Sequence, residues 1–415
     1  MMRYRTFPSL LLGALLTLGL LLTTGPDPAV AGPDAALSRA LKLPKASLLV
    51  EERGRVVISR HPDRAMVPAS TMKLLTALAA IERWGLAHRF HTDFHLGKDG
   101  RLWVKGYGDP YLISEELDFI VAALRAQGVR KITGVGLDDS HFHPALAISG
   151  RSSSNNPYDA PVTAVAANFN TVNITNQGGK VRSAEAQTPL TSMARRFGQR
   201  LGAGKHRVNL KQREQAVHYF GELLGAKLKQ AGIPVGGDPH NGPMPAGTEK
   251  IYRHRNSRDL RSMLTAMLEH SNNFIANALF LKLADRDDGH ALDMSKAQRA
   301  FTRWVNRTFD WRGHRIDDGA GLSRGNQLSA RQLMEAMKAF APYRELLPKK
   351  NPRVRAKTGT LRGVSCYAGF VQRGGRWEPF ILLINQPVSY NFRLQVANSL
   401  AKTPDLSRLC PGGSY

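Results

Sequence analysis

A chain of 415 residues with 42% hydrophobic content has enough apolar material for one large folded domain and a smaller one, which excludes an intrinsically disordered protein. Its 58 Lys and Arg against 33 Asp and Glu leave a formal net charge of +25, a strongly basic balance that points toward anionic partners or a basic solvated surface. Two cysteines, Cys366 and Cys410, suffice for one disulfide in an oxidising compartment, and their spacing alone does not say whether they meet.

Met1 to Ala31 reads as a secretory signal: Arg3 and Arg5 give the charged start, Leu10 to Leu22 the apolar centre, and Ala29-Val30-Ala31 a small-residue cleavage site before Gly32. The apolar centre is short for a membrane span, the reading as an uncleaved anchor being the alternative. No cysteine follows it to carry a lipid, and no later stretch is long and apolar enough to cross a bilayer. The mature chain is therefore expected in the periplasm or secreted. There its basic balance points to anionic envelope polymers rather than nucleic acid, or to a basic solvated surface without a partner.

Ser47 to Val50 and Val56 to Ser59, around Glu52-Arg53-Gly54, predict a hairpin. Next comes Pro68-Ala69-Ser70-Thr71-Met72-Lys73, followed by Leu74, Leu75, Ala77, Leu78 and Ile81 at helical intervals, with no further Gly or Pro until Gly85. That pattern predicts a helix of about four turns with Ser70 in its first turn and Lys73 one turn on. From Phe90 the character shifts to β: Phe90 to Leu96, a turn at Gly97 to Gly100, then Leu102 to Lys105, and a loop from Gly106 to Pro110. Ser114 is expected to cap a helix to Gln127, and Lys131 to Leu137 to return as a strand. Ser149 to Pro161 reads as a polar loop and Asn168 to Thr175 as a strand. A long basic segment then leads to an amphipathic helix near Arg213 to Ala231, and Gly236 to Gly247 looks like a boundary. Beyond it the chain turns helical: Ser257 is expected to cap Arg258 to Leu268, and a second helix covers Phe274 to Ala284, with Ser271-Asn272-Asn273 between them. The tail offers a strand at Arg355 to Leu361, a hairpin of Val364 to Gln372 with Trp377 to Asn385, and a helix from Asn391 to Lys402.

A serine hydroxyl is a weak nucleophile near neutral pH, and a lysine in a desolvated pocket can lose its proton and activate it, so Ser70 and Lys73 are chemically sufficient for acyl transfer. The pattern is common, however, and recurs at Ser399 and Lys402. What gives the first pair meaning is order and context: Ser70-x-x-Lys73 at a helix start, Ser271-x-Asn273 in a turn between helices, and Lys357-Thr358-Gly359 followed by Thr360 on a hairpin strand. Ser154-Asn155-Asn156 and Ser389-Tyr390-Asn391 also fit the second pattern, one in a turn-rich loop and one after the third motif. This trio is the signature of penicillin-binding proteins and serine β-lactamases. The histidines His88, His91, His141 and His143 have no carboxylate or cysteine pattern to complete a metal site, so neither metal nor other cofactor is expected.

On these motifs the chain resembles the class C low-molecular-mass penicillin-binding proteins, the D-alanyl-D-alanine carboxypeptidase/endopeptidase family. The resemblance extends over Gly106 to Leu112, Asp138-Asp139-Ser140-x-Phe142, Ala160-Pro161-Val162 with Asn168-x-Asn170, Asp317 to Arg324, and Lys357 to Asn385. It implies an α/β (α+β) fold: a penicillin-recognising, transpeptidase-like domain with an antiparallel sheet flanked by helices, from residues 32–88 and 245–415. A smaller α/β domain from 89–244 would be inserted in it. The gap of about 200 residues between the first two motifs is what the insert explains. The insert looks shorter than in full-length members, and Ala320 replaces the third residue of the Asp-Gly-Ser-Gly-Leu-Ser pattern.

Carried over position by position, the resemblance implies that Ser70 attacks the D-alanyl-D-alanine carbonyl of a peptidoglycan stem peptide while Lys73 takes its proton. Ser271 would relay a proton to the departing D-alanine, and Asn273 would hold Lys73 and the substrate amide. Lys357 would supply positive charge, Thr358 and Thr360 would bind the terminal carboxylate with Gly359 between them, and the Ser70 and Thr360 amides would form the oxyanion hole. β-Lactam antibiotics would acylate the same serine. Each residue also has a plainer reading: Ser70 and Asn273 as helix caps, Lys357 as a solvated strand charge. A β-lactamase or esterase on the same scaffold, and a catalytically weak wall-binding protein, remain the alternatives.

Overall fold

The computed structural model describes residues 35–286 and 289–406; the expected signal segment and Cys410 lie outside them. The described chain opens with helix α1 (Ala35–Lys42) and the hairpin β1 (Ala46–Glu52) and β2 (Arg55–Arg60), then a 3-10 turn (Ala69–Met72) running into α2 (Lys73–Trp84). β3 (His91–Leu96), β4 (Leu102–Lys105), α3 (Ser114–Ala126) and β5 (Val135–Asp138) follow. Next are β6 (Thr171–Gln177), β7 (Lys180–Ser183), α4 (Ser192–Gln199), β8 (Gly204–Asn209), α5 (Arg213–Gln230), β9 (His240–Asn241) and β10 (Glu249–Arg255). Four helices come after these: α6 (Leu260–Glu269), α7 (Asn273–Lys282), α8 (Met294–Phe309) and α9 (Ala330–Phe340). β11 (Lys349–Asn351), β12 (Val354–Leu361), β13 (Val364–Arg373), β14 (Arg376–Ile384) and α10 (Phe392–Lys402) complete the described part. None of its helices is long and apolar enough to cross a membrane.

The strands form three sheets. The largest runs β11-β12-β13-β14-β1-β2 with every neighbouring pair antiparallel, so the first hairpin docks on the last one through pairs such as Leu48 with Leu382. Alternation of side chains fixes its two faces. Phe380, Leu382 and Ile384 of β14 pack with α1 and α10, whereas Ile381 and Leu383 pack with α2, α6, α7, α8 and α9. A second sheet, β10-β3-β4-β5-β9, mixes antiparallel and parallel pairs and shares a core with the three-stranded sheet β7-β6-β8 and helices α3, α4 and α5.

Two helices dominate the position of the cleft. Residues Asn273 to Lys282 of α7 are buried on every side, as are Lys73 to Ile81 of α2, because both lie inside the large helical core where no face meets water. Their N-termini carry the polar residues, Lys73 and Asn273. The Ser70 turn ahead of α2 is gripped from two directions. A Cβ on Gly321 would stand 1.9 Å from the Ala69 carbonyl oxygen, and one on Gly359 2.7 Å from that of Pro68. Only glycine permits these approaches.

Several local expectations change for identifiable reasons. Ser70 lies in the 3-10 turn ahead of α2 rather than in the helix, because Ala69 takes a left-handed φ of 46° before it. Asp259, not Ser257, caps α6 by accepting from the Ser262 amide, and Ser257 instead donates its hydroxyl to the buried Glu116. Ser114 is the first residue of α3 rather than its cap, and its hydroxyl is spent on Asn168 and Thr188. The strand expected from Asn168 starts at Thr171, since Asn168, Phe169 and Asn170 all adopt left-handed backbone. The basic segment after it holds β7, α4 and β8.

Gly321→Ala would combine left-handed strain at φ 78° with the Ala69 clash. The expected loss is about 2 kcal/mol or more in urea unfolding. A loss below about 0.5 kcal/mol, the range of neutral surface changes, would show that the Ser70 turn is not gripped there.

Candidate active site

Lys73 is fully buried at the start of α2, and its Nζ has three partners: the Asn273 Oδ1 and the Ala320 carbonyl oxygen at 2.7 Å each, and the Ser70 Oγ at 3.1 Å. The two shorter contacts are to oxygens that only accept, whereas the serine hydroxyl can accept or donate. A neutral amine therefore keeps both N–H groups satisfied and turns its lone pair to the Ser70 proton. Burial pushes the Lys73 ammonium well below the usual lysine range, the Lys357 charge pushes it further, and Asp318 opposes.

The Ala320 carbonyl is held by a loop wound on one carboxylate. Asp318 Oδ1 accepts from the amides of Ala320, Gly321 and Leu322, and Oδ2 from the Ser323 amide and Asn326 Nδ2, all at 2.8 to 3.1 Å. What meets Lys73 here is backbone, so alanine at 320 serves as well as another small residue.

Ser271 adopts a left-handed φ of 52° in the tight turn between α6 and α7. Asn272 accepts from the Ile275 amide and caps α7, which frees Asn273 at the first helical position to face Lys73. The plainer reading of Asn273 as the cap is thus wrong by one residue. Its Nδ2 donates to the Tyr158 carbonyl at 3.1 Å. Tyr158 is delivered by the polar loop before Pro161, where Asn156 accepts from the Tyr158 amide and Asp159 accepts from Ser152 and Ser154. Ser154 of the alternative Ser-x-Asn motif is thereby engaged in loop structure.

Lys357, on β12, is 1% exposed and no solvated charge. Its Nζ donates to Ser271 Oγ at 2.9 Å and to the Thr358 carbonyl at 2.8 Å. Burial and then the neighbouring charges of Arg393 and Lys350 bring its pKa down to about 7. β11 pairs only with Val354 and Arg355, so β12 from Lys357 onward has β13 on one side alone. Thr358 and Thr360 line a cavity of about 370 Å³ together with Ser70, Ser271 and Asn273. Gly359 keeps the strand close to the Ser70 turn. Ser399 and Lys402 do not reach this cavity.

Four lining or supporting groups escape sequence patterning: the Ala320 carbonyl, Tyr158, Tyr390 and Arg393. Tyr390 lies inside the third Ser-x-Asn match, so that motif marks the site without acting as its middle element. Cys366 is fully buried in β13 with its thiol 3.5 Å from the Val67 carbonyl. His141 pairs with Asp285 at 3.0 Å, and no group of three metal-ligating side chains occurs among the described residues.

The chain is 24% identical to a D-alanyl-D-alanine carboxypeptidase from an Actinomadura species, over 84% of this chain and 78% of that protein. It is 25% identical to the Haemophilus influenzae D-alanyl-D-alanine carboxypeptidase DacB, over 80% and 83%. The crystal structure of penicillin binding protein 4 from H. influenzae superposes with a TM-score of 0.72 at 22% identity, covering 88% of this chain and 98% of that one. A predatory endopeptidase of Bdellovibrio bacteriovorus shares the fold at a TM-score of 0.53 and 17% identity, covering 88% and 92%. The model of the D-Ala-D-Ala carboxypeptidase 3 (S13) family matches residues 45–198 and 202–348, and the chain belongs to that family.

Proposed function

We propose that this serine D-alanyl-D-alanine peptidase of peptidoglycan works through an acyl-enzyme on Ser70. The observation that carries the reading is a pair of buried lysine–serine contacts facing one cleft, Lys73 with Ser70 and Lys357 with Ser271. Lys73, neutral, takes the Ser70 proton as Oγ attacks the carbonyl carbon of the penultimate D-alanine. The oxyanion that forms is met by the amides of Ser70 and Thr360, each worth about 3 kcal/mol in such sites. As the C–N bond breaks, the proton passes through Ser271 to the departing nitrogen, leaving free D-alanine or the cross-linked amine and a Ser70 ester. Water attacks the ester, Lys73 again accepting the proton, and the shortened stem peptide leaves. Asn273 orients Lys73 and the substrate amide, and Lys357 with Thr358 and Thr360 receives the terminal carboxylate.

β-Lactams, one of which is bound in a penicillin binding protein 4 structure from H. influenzae, would enter the same cleft and stay as an ester. Residues 32–88 and 245–415 form the catalytic domain in this reading and 89–244 the insert, a division supported by the second and third sheets drawing all strands but the edge strand β10 from that segment. The leader through Ala31 fits export to the periplasm or beyond, where the basic surface would contact anionic wall polymers.

Ser70→Ala should abolish the penicillin adduct, read as intact mass followed by peptide mapping, while binding to isolated cell walls persists. Labelling that survives would move the nucleophile elsewhere, and rapid loss of the adduct from the wild type would favour a β-lactamase. In the free enzyme, kcat/KM should rise with pH as Lys73 deprotonates and fall near pH 7 as Lys357 loses its charge, since burial brings that lysine to about 7. Lys357→Arg, charged throughout, should move the falling limb to higher pH. An unmoved limb would exclude the Lys357 charge as its cause.

A further inference from the structure

We propose that Arg393 is a specificity residue: it turns the Thr360 hydroxyl into a donor and supplies the counter-charge by which the cleft selects a leaving residue with a free carboxylate. The inference rests on the assignment of Ser70 and its cleft given above. Arg393 belongs to the first turn of α10, far along the chain from the three motifs, yet it lines the same cavity as Ser70, Thr358 and Thr360.

Its Nη1 uses both protons on the third motif, donating to the Gly359 carbonyl at 2.8 Å and to Thr360 Oγ1 at 2.7 Å. A hydroxyl that accepts from a guanidinium keeps its own proton for another partner. The cation also polarises that hydroxyl, and charge-assisted donors of this kind bind carboxylates more tightly than neutral ones.

The charge balance points the same way. Arg393 is 3% exposed, and no carboxylate pairs with it among the described residues. Its Nε is buried with no hydrogen-bond partner, and its guanidinium otherwise stacks at 5.2 Å on the ring of Tyr390, which is 73% exposed. A cation at a helix N-terminus also meets the positive end of the helix dipole. Burying an uncompensated guanidinium there is costly unless an anion arrives. Lys357, which donates to the Thr358 carbonyl and the Ser271 hydroxyl, likewise pairs with no carboxylate among the described residues, and the Arg393 charge helps to lower its proton affinity. Two buried cations thus contact the stretch from Thr358 to Thr360, Lys357 at the Thr358 carbonyl and Arg393 at the Gly359 carbonyl and the Thr360 hydroxyl. A carboxylate satisfies all of them as acceptor, whereas a terminal amide presents N–H groups to donors.

The plainer role for Arg393 is a strap that ties β12 to α10. The two roles separate on a pair of substrates, one acyl-D-alanyl-D-alanine peptide as the free acid and as its C-terminal carboxamide, assayed with the wild type, Arg393→Gln and Arg393→Lys. Loss of the guanidinium should lower kcat/KM on the acid roughly 10- to 100-fold and bring the acid-to-amide ratio toward one, with partial recovery of the ratio in Arg393→Lys. Equal falls on both substrates, leaving the ratio intact, would make Arg393 a strap and overturn the proposal. Should Arg393→Gln fail to fold, two comparisons still decide. A wild type that cleaves the amide as fast as the acid, or an Arg393→Lys ratio equal to that of the wild type, overturns it. Penicillin labelling at Ser70 is followed in parallel: intact labelling with an unchanged ratio refutes only Arg393, whereas no labelling in the wild type refutes the cleft assignment itself.

Discussion

A lysine side chain fully buried in the core, with no carboxylate paired to it among the described residues, is the constraint on which this molecule turns. Lys73 reaches three oxygens, two that only accept and one hydroxyl that can also donate, and burial together with the field of a second buried lysine favours its neutral form. Removing a charge from water is costly, so burial makes the Lys73 proton easier to lose than that of an ordinary lysine. Everything nearby serves that condition. Asp318 winds a loop that presents the Ala320 carbonyl, Asn272 caps α7 so that Asn273 is free to turn inward, and Gly321 and Gly359 let the serine turn close on the amine.

The large antiparallel sheet and the helices around it are what make the pocket dry. β14 divides its side chains between two cores, one filled by α1 and α10 and the other by the five central helices. The Asn256 amide joins the helical part to the second sheet: it is fully buried and donates to both oxygens of Asp109 and to the Tyr111 carbonyl. Arg213 similarly clamps the segment after β5 through the carbonyls of Asp139, Phe142 and His143. These polar joints are saturated with partners, and such networks specify a unique arrangement more than they add stability.

Much of the site was legible because its chemistry needs particular residue types at close spacing. Ser70 and Lys73, a common pairing by themselves, stand out at the start of an apolar helix once Ser271-x-Asn273 and Lys357-Thr358-Gly359 follow in order, and Gly359 lets the strand approach the serine turn. The elements were legible wherever hydrophobic period decided the outcome, as for α2, α5 and the β13–β14 hairpin. The sequence misled where two polar residues compete for one role. Ser257 and Asp259 both look like caps, and only burial beside Glu116 decides between them. Left-handed backbone at Asn168, Phe169 and Asn170 delays β6 without any glycine to signal it. Arg393 and Tyr158 stayed hidden because no local pattern links an arginine on the last described helix, or a loop tyrosine, to a serine hundreds of residues earlier.

The long-range character of the cleft gives the enzyme a built-in latency. In the proposed mechanism Lys73 can serve as a base only after the chain around residues 273, 320 and 357 has closed over it. In a partly folded chain the same lysine is hydrated and protonated, and the adjacent serine is as unreactive as any other. Reactivity therefore arrives together with tertiary closure, so an immature copy is harmless to the wall it will later trim.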